Sequence, residues 1–150
     1  MKNLKETQIL TSNYPYGRYS LDYALDSLQR LEAGPIEFYA CYPHFHLDDV
    51  DYWDVNRITR KLIEHKLNIV CFTPEQCLYP VNIAALDPAA IKRSMDVFKK
   101  SIQFGAEMGT EYVVTLAGYG TLDEEESAAW KRSVESLGIL GDMAEAYGVK

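Results

Sequence analysis

The sequence predicts an α/β fold with one parallel sheet, built from four β-α units in succession. Short apolar runs alternate with amphipathic stretches at helical spacing, and Gly or Pro marks most of the switches between them. The units recur about every 35 residues, which suits parallel strands, since a strand can return parallel to its neighbour only through a crossover long enough to hold a helix.

Taken in order, Thr7 to Tyr14 reads as a short strand, and Pro15 to Gly17 turns it. Ser20 suits an N-cap for a helix with Leu21, Leu25, Leu28 and Leu31 on one face; Gly34 ends that helix and Pro35 prevents its return. Ile36 to Tyr42 is the second strand, followed by the polar loop PHFHLDDVD. A helix from about Asp51 turns Val55, Ile58 and Leu62 inward and ends near His65 and Lys66. The third strand opens the stretch Leu67 to Ala85, whose apolar start gives way to a loop carrying Thr73, Glu75, Tyr79 and Asn82. Asp87 and Pro88 then start a long helix with Ile91, Met95, Phe98, Ile102 and Ala106 on one side, closed by Gly109. Glu111 to Ala117 is the fourth strand, running into Gly118-Tyr119-Gly120. Thr121 with Glu124 fits a capping box, and the last helix carries Trp130, Val134, Leu137 and Leu140. Two architectures satisfy this order: a four-stranded doubly wound sheet, or half of an eight-stranded (β/α) barrel. Gly148 reads as a C-cap leading into another strand, so residues 1–150 are expected to stop just where a fifth strand would begin.

With 47% hydrophobic residues, 25% charged residues and a net charge of -7, the composition is that of a globular protein rather than a phosphate-backbone binder, which would carry a basic face. No apolar run is long enough to cross a bilayer and MKNLKETQ lacks the core of a signal peptide, so no membrane partner, no nucleic-acid partner and a cytoplasmic location are expected. Cys41, Cys71 and Cys77 lack metal-type spacing and are expected to be reduced thiols; Cys41 and Cys71 read as small core residues, and nothing marks the loop residue Cys77 as a nucleophile.

Three stretches resemble the xylose-isomerase-like (β/α) barrel superfamily of sugar (phosphate) isomerases and epimerases, and within it the fructoselysine 3-epimerase type. They are PIEFYACYPHFH, where that type has Gly-Ile-Glu and then a loop histidine; FTPEQCLYPVNIA, a Thr-Pro-Glu followed by Tyr-Pro-x-Asn; and GAEMGTEYVVTLAGYG. The resemblance runs from about Thr7 to the last residue and implies the N-terminal half of a TIM (β/α)8 barrel, four sequential parallel β-α units. It further implies a small sugar or sugar-derivative substrate and a divalent metal (Mn, Mg, Co or Zn) in the full-length enzyme. That metal is held from strand five onward, so no metal ligand is expected in this chain. The half alone is expected to be inactive, and to self-associate or pair with the missing C-terminal half. Related apurinic endonucleases place metal-binding histidines after strands three and four; Glu75 to Tyr79 and Ala117 to Tyr119 stand there instead, which puts DNA repair behind carbohydrate chemistry. The alternative from another class is a non-catalytic α/β binding or self-associating half-barrel module.

Each candidate residue also has a plainer reading. Glu75 follows strand three, where barrel active sites lie, and its carboxylate can accept sugar hydroxyls or simply face water. Tyr79 and Asn82 can stack on and hydrogen-bond a polyol, or anchor the loop by an aromatic contact and an Asx turn. Glu37 lies between apolar strand residues and needs a partner if buried, so it is expected to support the pocket from behind. His44 and His46, with Asp48, Asp49 and Asp51, resemble a metal set but lack a fixed fourth ligand. The resemblance favours His44 as a substrate-loop residue, His46 reads as an exposed neighbour, and the aspartates read as caps for the next helix. The Gly118-Tyr119-Gly120 turn lacks a phosphate-loop pattern and is expected to leave room for ligand at the barrel mouth.

Overall fold

The computed structural model describes residues 5, 8–49, 55–76 and 80–150. Four parallel strands, β1 (Thr11–Ser12), β2 (Ile36–Ala40), β3 (Ile69–Pro74) and β4 (Tyr112–Val113), lie in the spatial order β1-β2-β3-β4. The helices are α1 (Leu21–Arg30), α2 (Val55–Glu64), α3 (Pro88–Glu107) and α4 (Glu126–Tyr147). A doubly wound sheet reverses direction at a switch point, whereas a barrel adds each strand beside the last; the sequential order is that of half a TIM barrel.

Alternation along the strands separates two faces. Ile36, Phe38 and Ala40 of β2 join Phe72 of β3, the leucines of α1 and Val55, Ile58 and Leu62 of α2 in one core. At its centre Phe38 and Phe72 stack with centroids 6.3 Å apart, and Phe45 meets both edge-on and also touches Phe104 of α3. A fully buried phenylalanine contributes about 1.5–3 kcal/mol, so this cluster anchors the central strand pair. A second core joins Met95, Phe98 and Ile102 of α3 to Leu140 of α4, with Ile83 and Val149. The residues between, Glu37 and Tyr39 of β2 and Cys71 and Thr73 of β3, oppose one another in register on the other face of the sheet, with Ser12 of β1 beside Glu37.

Several local expectations shift. The outer strands are shorter than their apolar runs. Asn13 leaves the β1 ladder because its side chain, rather than its backbone, takes both polar groups of Tyr39. The β3–β4 ladder stops early for another reason: Val70 and Phe72 accept from Glu111 and Val114, so Pro74 faces the same edge and has no N–H to give. α1 ends through Glu32 in the left-handed region (φ 50°) rather than at Gly34, leaving Leu31 exposed. α2 starts at Val55 as described, so the expected cap at Asp51 lies outside the described residues; Asp48 instead accepts from Lys100 of α3 at 2.9 Å. Asp87 caps α3 as expected, accepting from the Ala89 N–H. In α4 the buried face is Ala129, Ser133, Ser136 and Leu140, while Trp130 and Val134 are exposed. Small residues are needed there because the helix lies on backbone, with Ser136 donating to the Ile83 carbonyl and Arg132 to that of Ala84. Thr121 donates its N–H to Glu124, half of a capping box, yet the helix itself begins at Glu126.

Gly148 adopts φ 72° and closes α4, after which the chain turns back to the sheet. Lys150 donates its N–H to the Glu111 carbonyl and accepts from the Val113 N–H, the two bonds of a parallel bridge across Tyr112 on the outer edge of β4.

Candidate functional site

Two glutamates stand on the open face of the sheet. Glu37 of β2 accepts a 2.5 Å hydrogen bond from the Thr73 hydroxyl, and Glu75, just past β3, accepts from the Tyr39 hydroxyl at 2.7 Å. Backbone pairing continues to this point, since the Glu75 N–H donates to the Ala40 carbonyl. Glu75 is half-buried and sits at the C-terminal ends of the strands, the end at which barrels of this kind bind ligands. It also lines a cleft of about 430 Å3 shared with Cys41, His46, Asp48 and Arg93. Burial pushes the Cys41 and Cys71 thiols up, so both are held protonated.

Behind Tyr39 lies a fully buried pair, Asn13 and His44. The Asn13 Oδ1 accepts from the Tyr39 N–H at 2.7 Å, and its Nδ2 donates to the Tyr39 carbonyl at 2.9 Å and to His44 Nδ1 at 2.8 Å. His44 Nε2 lies 3.0 Å from the Tyr19 carbonyl. These contacts are satisfied together only by a neutral ring protonated on Nε2, because Nδ1 must accept. Burial lowers the His44 pKa, in the same direction.

Asn82 is arranged in the same way one strand pair along. Its Nδ2 donates to the Tyr119 carbonyl at 2.8 Å, its Oδ1 accepts from the Tyr119 N–H at 3.1 Å and from Ala84 at 3.0 Å, and its own N–H donates to Ser94. The room left by Gly118 is thereby filled, since a Cβ there would meet Asn82 Oδ1 at 2.4 Å, and its φ of 78° is in the glycine-favoured region. The turn expected to make space for ligand makes space for the asparagine. Beside it a cleft of about 370 Å3 includes Gln76, whose buried Oε1 has no partner among the described residues.

Of the four residues expected to face substrate, Glu75 therefore reaches an open face, His44 and Asn82 have their polar atoms committed to internal bonds, and Tyr79 lies outside the described residues, as does Cys77. Glu37 accepts from the Thr73 hydroxyl on the same sheet face. His46 is exposed near Asp49 at 3.9 Å, and no group of three or more His, Cys, Asp or Glu that could hold a metal occurs among the described residues. The donors among the described residues do not fit a metal centre.

Comparison with known proteins bears on this geometry. Residues 25–150 match the family described as xylose isomerase-like TIM barrel. The chain belongs to that family. Within the xylose isomerase-like barrels it is 25% identical over 132 residues to fructoselysine 3-epimerase of Shigella flexneri, covering 88% of this chain and 48% of the relative. A D-tagatose 3-epimerase-like protein superposes with a TM-score of 0.76 at 16% identity, over 93% of this chain and 49% of that one. An L-ribulose 3-epimerase superposes with a TM-score of 0.73 at 19% identity, over 95% and 47%. The chain thus spans about half the length of the relatives it matches.

Sequence reasoning missed Asn13 and Tyr39, and it named Thr73 as a loop residue without a role, whereas Thr73 lies in β3 and donates to Glu37. Tyr39 and Thr73 were findable, because each lies two residues from a residue already singled out on the same strand face, Glu37 and Glu75. Asn13 carried no such signal, since its partner is 26 residues away.

Proposed function

We propose that this chain is the N-terminal half of a metal-dependent isomerase or epimerase of a sugar or sugar derivative, contributing one wall of the substrate pocket. Glu75 supports the reading most directly: it stands at the ligand-binding end of the strands with one carboxylate oxygen taken by the Tyr39 hydroxyl, which leaves the other to accept a sugar hydroxyl. Glu37 and Thr73 hold the layer below it. The exposed Tyr14 ring, edge-on to Tyr39 at 4.9 Å, offers an aromatic face to the C–H side of a sugar. Asn82 serves the pocket by fixing Tyr119 at its rim, and Tyr79 is kept as a substrate contact. The divalent metal, bound by the other half, supplies Lewis-acid polarisation; no residue described here holds it.

The test is reconstitution with the half of Shigella flexneri fructoselysine 3-epimerase that this chain does not cover, assayed on fructoselysine, tagatose and ribulose with added Mn, Mg, Co or Zn. Epimerisation is expected from the pair and not from the 150-residue chain alone, and Glu75→Gln is expected to lower kcat/KM by about 10- to 100-fold while leaving metal affinity unchanged. Turnover by the isolated chain, or loss of metal binding in Glu75→Gln, would overturn this division of labour.

A further inference from the structure

We infer that Arg93 is a specificity-determining residue that binds a carboxylate or phosphate on the substrate, so that the sugar derivative received by this wall is an anion. The inference rests on the reading of Glu75 as the contact for a sugar hydroxyl, and adds to it the charge of the molecule that binds.

Glu75 and Arg93 line the same cleft of about 430 Å3, Glu75 from just past β3 and Arg93 from near the start of α3. Its volume is in the range of small-molecule sites, and Leu47, Val81 and Val97 give it an apolar lining. The guanidinium of Arg93 is oriented by backbone. Its Nε and Nη2 both donate to the Pro80 carbonyl, at 3.4 and 3.3 Å. That pairing occupies one edge of the planar group and leaves the Nη1–Nη2 edge as a fork, the geometry that takes paired oxygens of a carboxylate or phosphate.

The acids around the cleft leave that fork open. Asp48 accepts from Lys100 at 2.9 Å, and this bond holds its carboxyl below the usual carboxylate range. Asp96 is paired with Lys92 at 2.7 Å, and Glu75 accepts from the Tyr39 hydroxyl. Among the described residues lining the cleft, Arg93 is the only lysine or arginine, and it belongs to no ion pair. It also lines a shallower neighbouring cleft with Lys92 and Lys100, so this corner is cationic in a chain of net charge -7. Glu75 accepts hydroxyls and repels anions, whereas Arg93 does the reverse. A substrate with a polyol at one end and an anionic group at the other is therefore held in one orientation.

Three ketoses with one body test this: fructose, fructose 6-phosphate and fructuronate, which carry a hydroxyl, a phosphate or a carboxylate at the same end. Their binding to the purified chain is followed by amide chemical shifts at constant ionic strength. The wild-type chain is expected to bind the two anionic ketoses about tenfold more tightly than fructose. Arg93→Gln should bring all three to the fructose value, whereas Lys92→Gln, one residue away, should keep the preference. Glu75→Gln should weaken all three alike. Equal affinities in the wild-type chain, or loss of the preference in both helix variants, would overturn the inference. So would an Arg93→Gln chain that binds fructose as weakly as the anionic pair, which would make the arginine a prop for Pro80. Inorganic phosphate binding as tightly as fructose 6-phosphate would overturn it too, by making the site one for a free anion. These results leave the sugar reading of Glu75 intact. That reading fails, and the inference with it, if Glu75→Gln changes no ketose affinity or if no ketose binds.

Discussion

His44 illustrates how a residue type can mislead. A histidine in a loop after a barrel strand invites a ligand role, yet its ring is completely buried and both nitrogens are engaged, one by Asn13 and one by the Tyr19 carbonyl. Protonation would place a second N–H against the Asn13 amide, which already donates there. Because the folded pKa is lowered, the unfolded chain takes up a proton that the folded chain refuses. Stability from this site is therefore complete above about pH 6.5, the ordinary histidine value, and is lost as pH falls from there through the folded value. Denaturant melts between pH 7.5 and 5 should show it, with a slope of at most about 1.4 kcal/mol per pH unit that His44→Gln removes. An unchanged slope in the variant would show that the ring is not kept neutral.

At the scale of elements, the glycine turn after β4 and the loop after β3 are one unit. Gly118→Ala should destabilise the chain by about 1–3 kcal/mol, because it sets a Cβ against Asn82 Oδ1 and forces a positive φ. Asn82→Ala should cost about 1–3 kcal/mol by leaving the Tyr119 backbone without its partner. Chemical denaturation of the double variant should give less than the sum, since the first clash disappears with the amide; strict additivity would separate the two elements. The helices, by contrast, were largely legible. Ser20 and Asp87 cap as their residue types suggest, and Gly148 terminates α4 as expected. What could not be read was the rotation of α4, because Trp130 and Val134 look like core residues until the backbone beneath the helix is known to require Ala129, Ser133 and Ser136.

For the whole molecule, periodicity reached the class of fold but not the architecture, because a doubly wound sheet and half a barrel share the same β-α rhythm; strand order alone separates them. The candidate site was half legible. Glu75 and Glu37 followed from strand ends and alternation, whereas the Asn13–His44–Tyr39 contacts join residues distant in sequence. Order should also be unevenly distributed. β2 and β3 share the longest ladder and the phenylalanine core, while β1 and β4 have two residues each. Amide hydrogen exchange on the isolated chain should therefore be slowest at Phe38 and Phe72 and at least tenfold faster at Thr11 and Tyr112; uniform protection across the sheet would contradict this.

The two asparagines give the mouth of the half-barrel a mechanical character. Each follows an odd-numbered strand and grips, through both ends of its amide, the backbone of one tyrosine on or just beyond the next strand: Asn13 on Tyr39, Asn82 on Tyr119. The rim is therefore tied in two places, once across β1 and β2 and once across the loops that follow β3 and β4. They meet where the Tyr39 hydroxyl donates to the Glu75 carboxylate and the Glu75 N–H to the Ala40 carbonyl. That seam continues the longest ladder of the sheet, so the Glu75 carboxylate is held against its firmest strand pair while the outer strands carry whatever the rim yields.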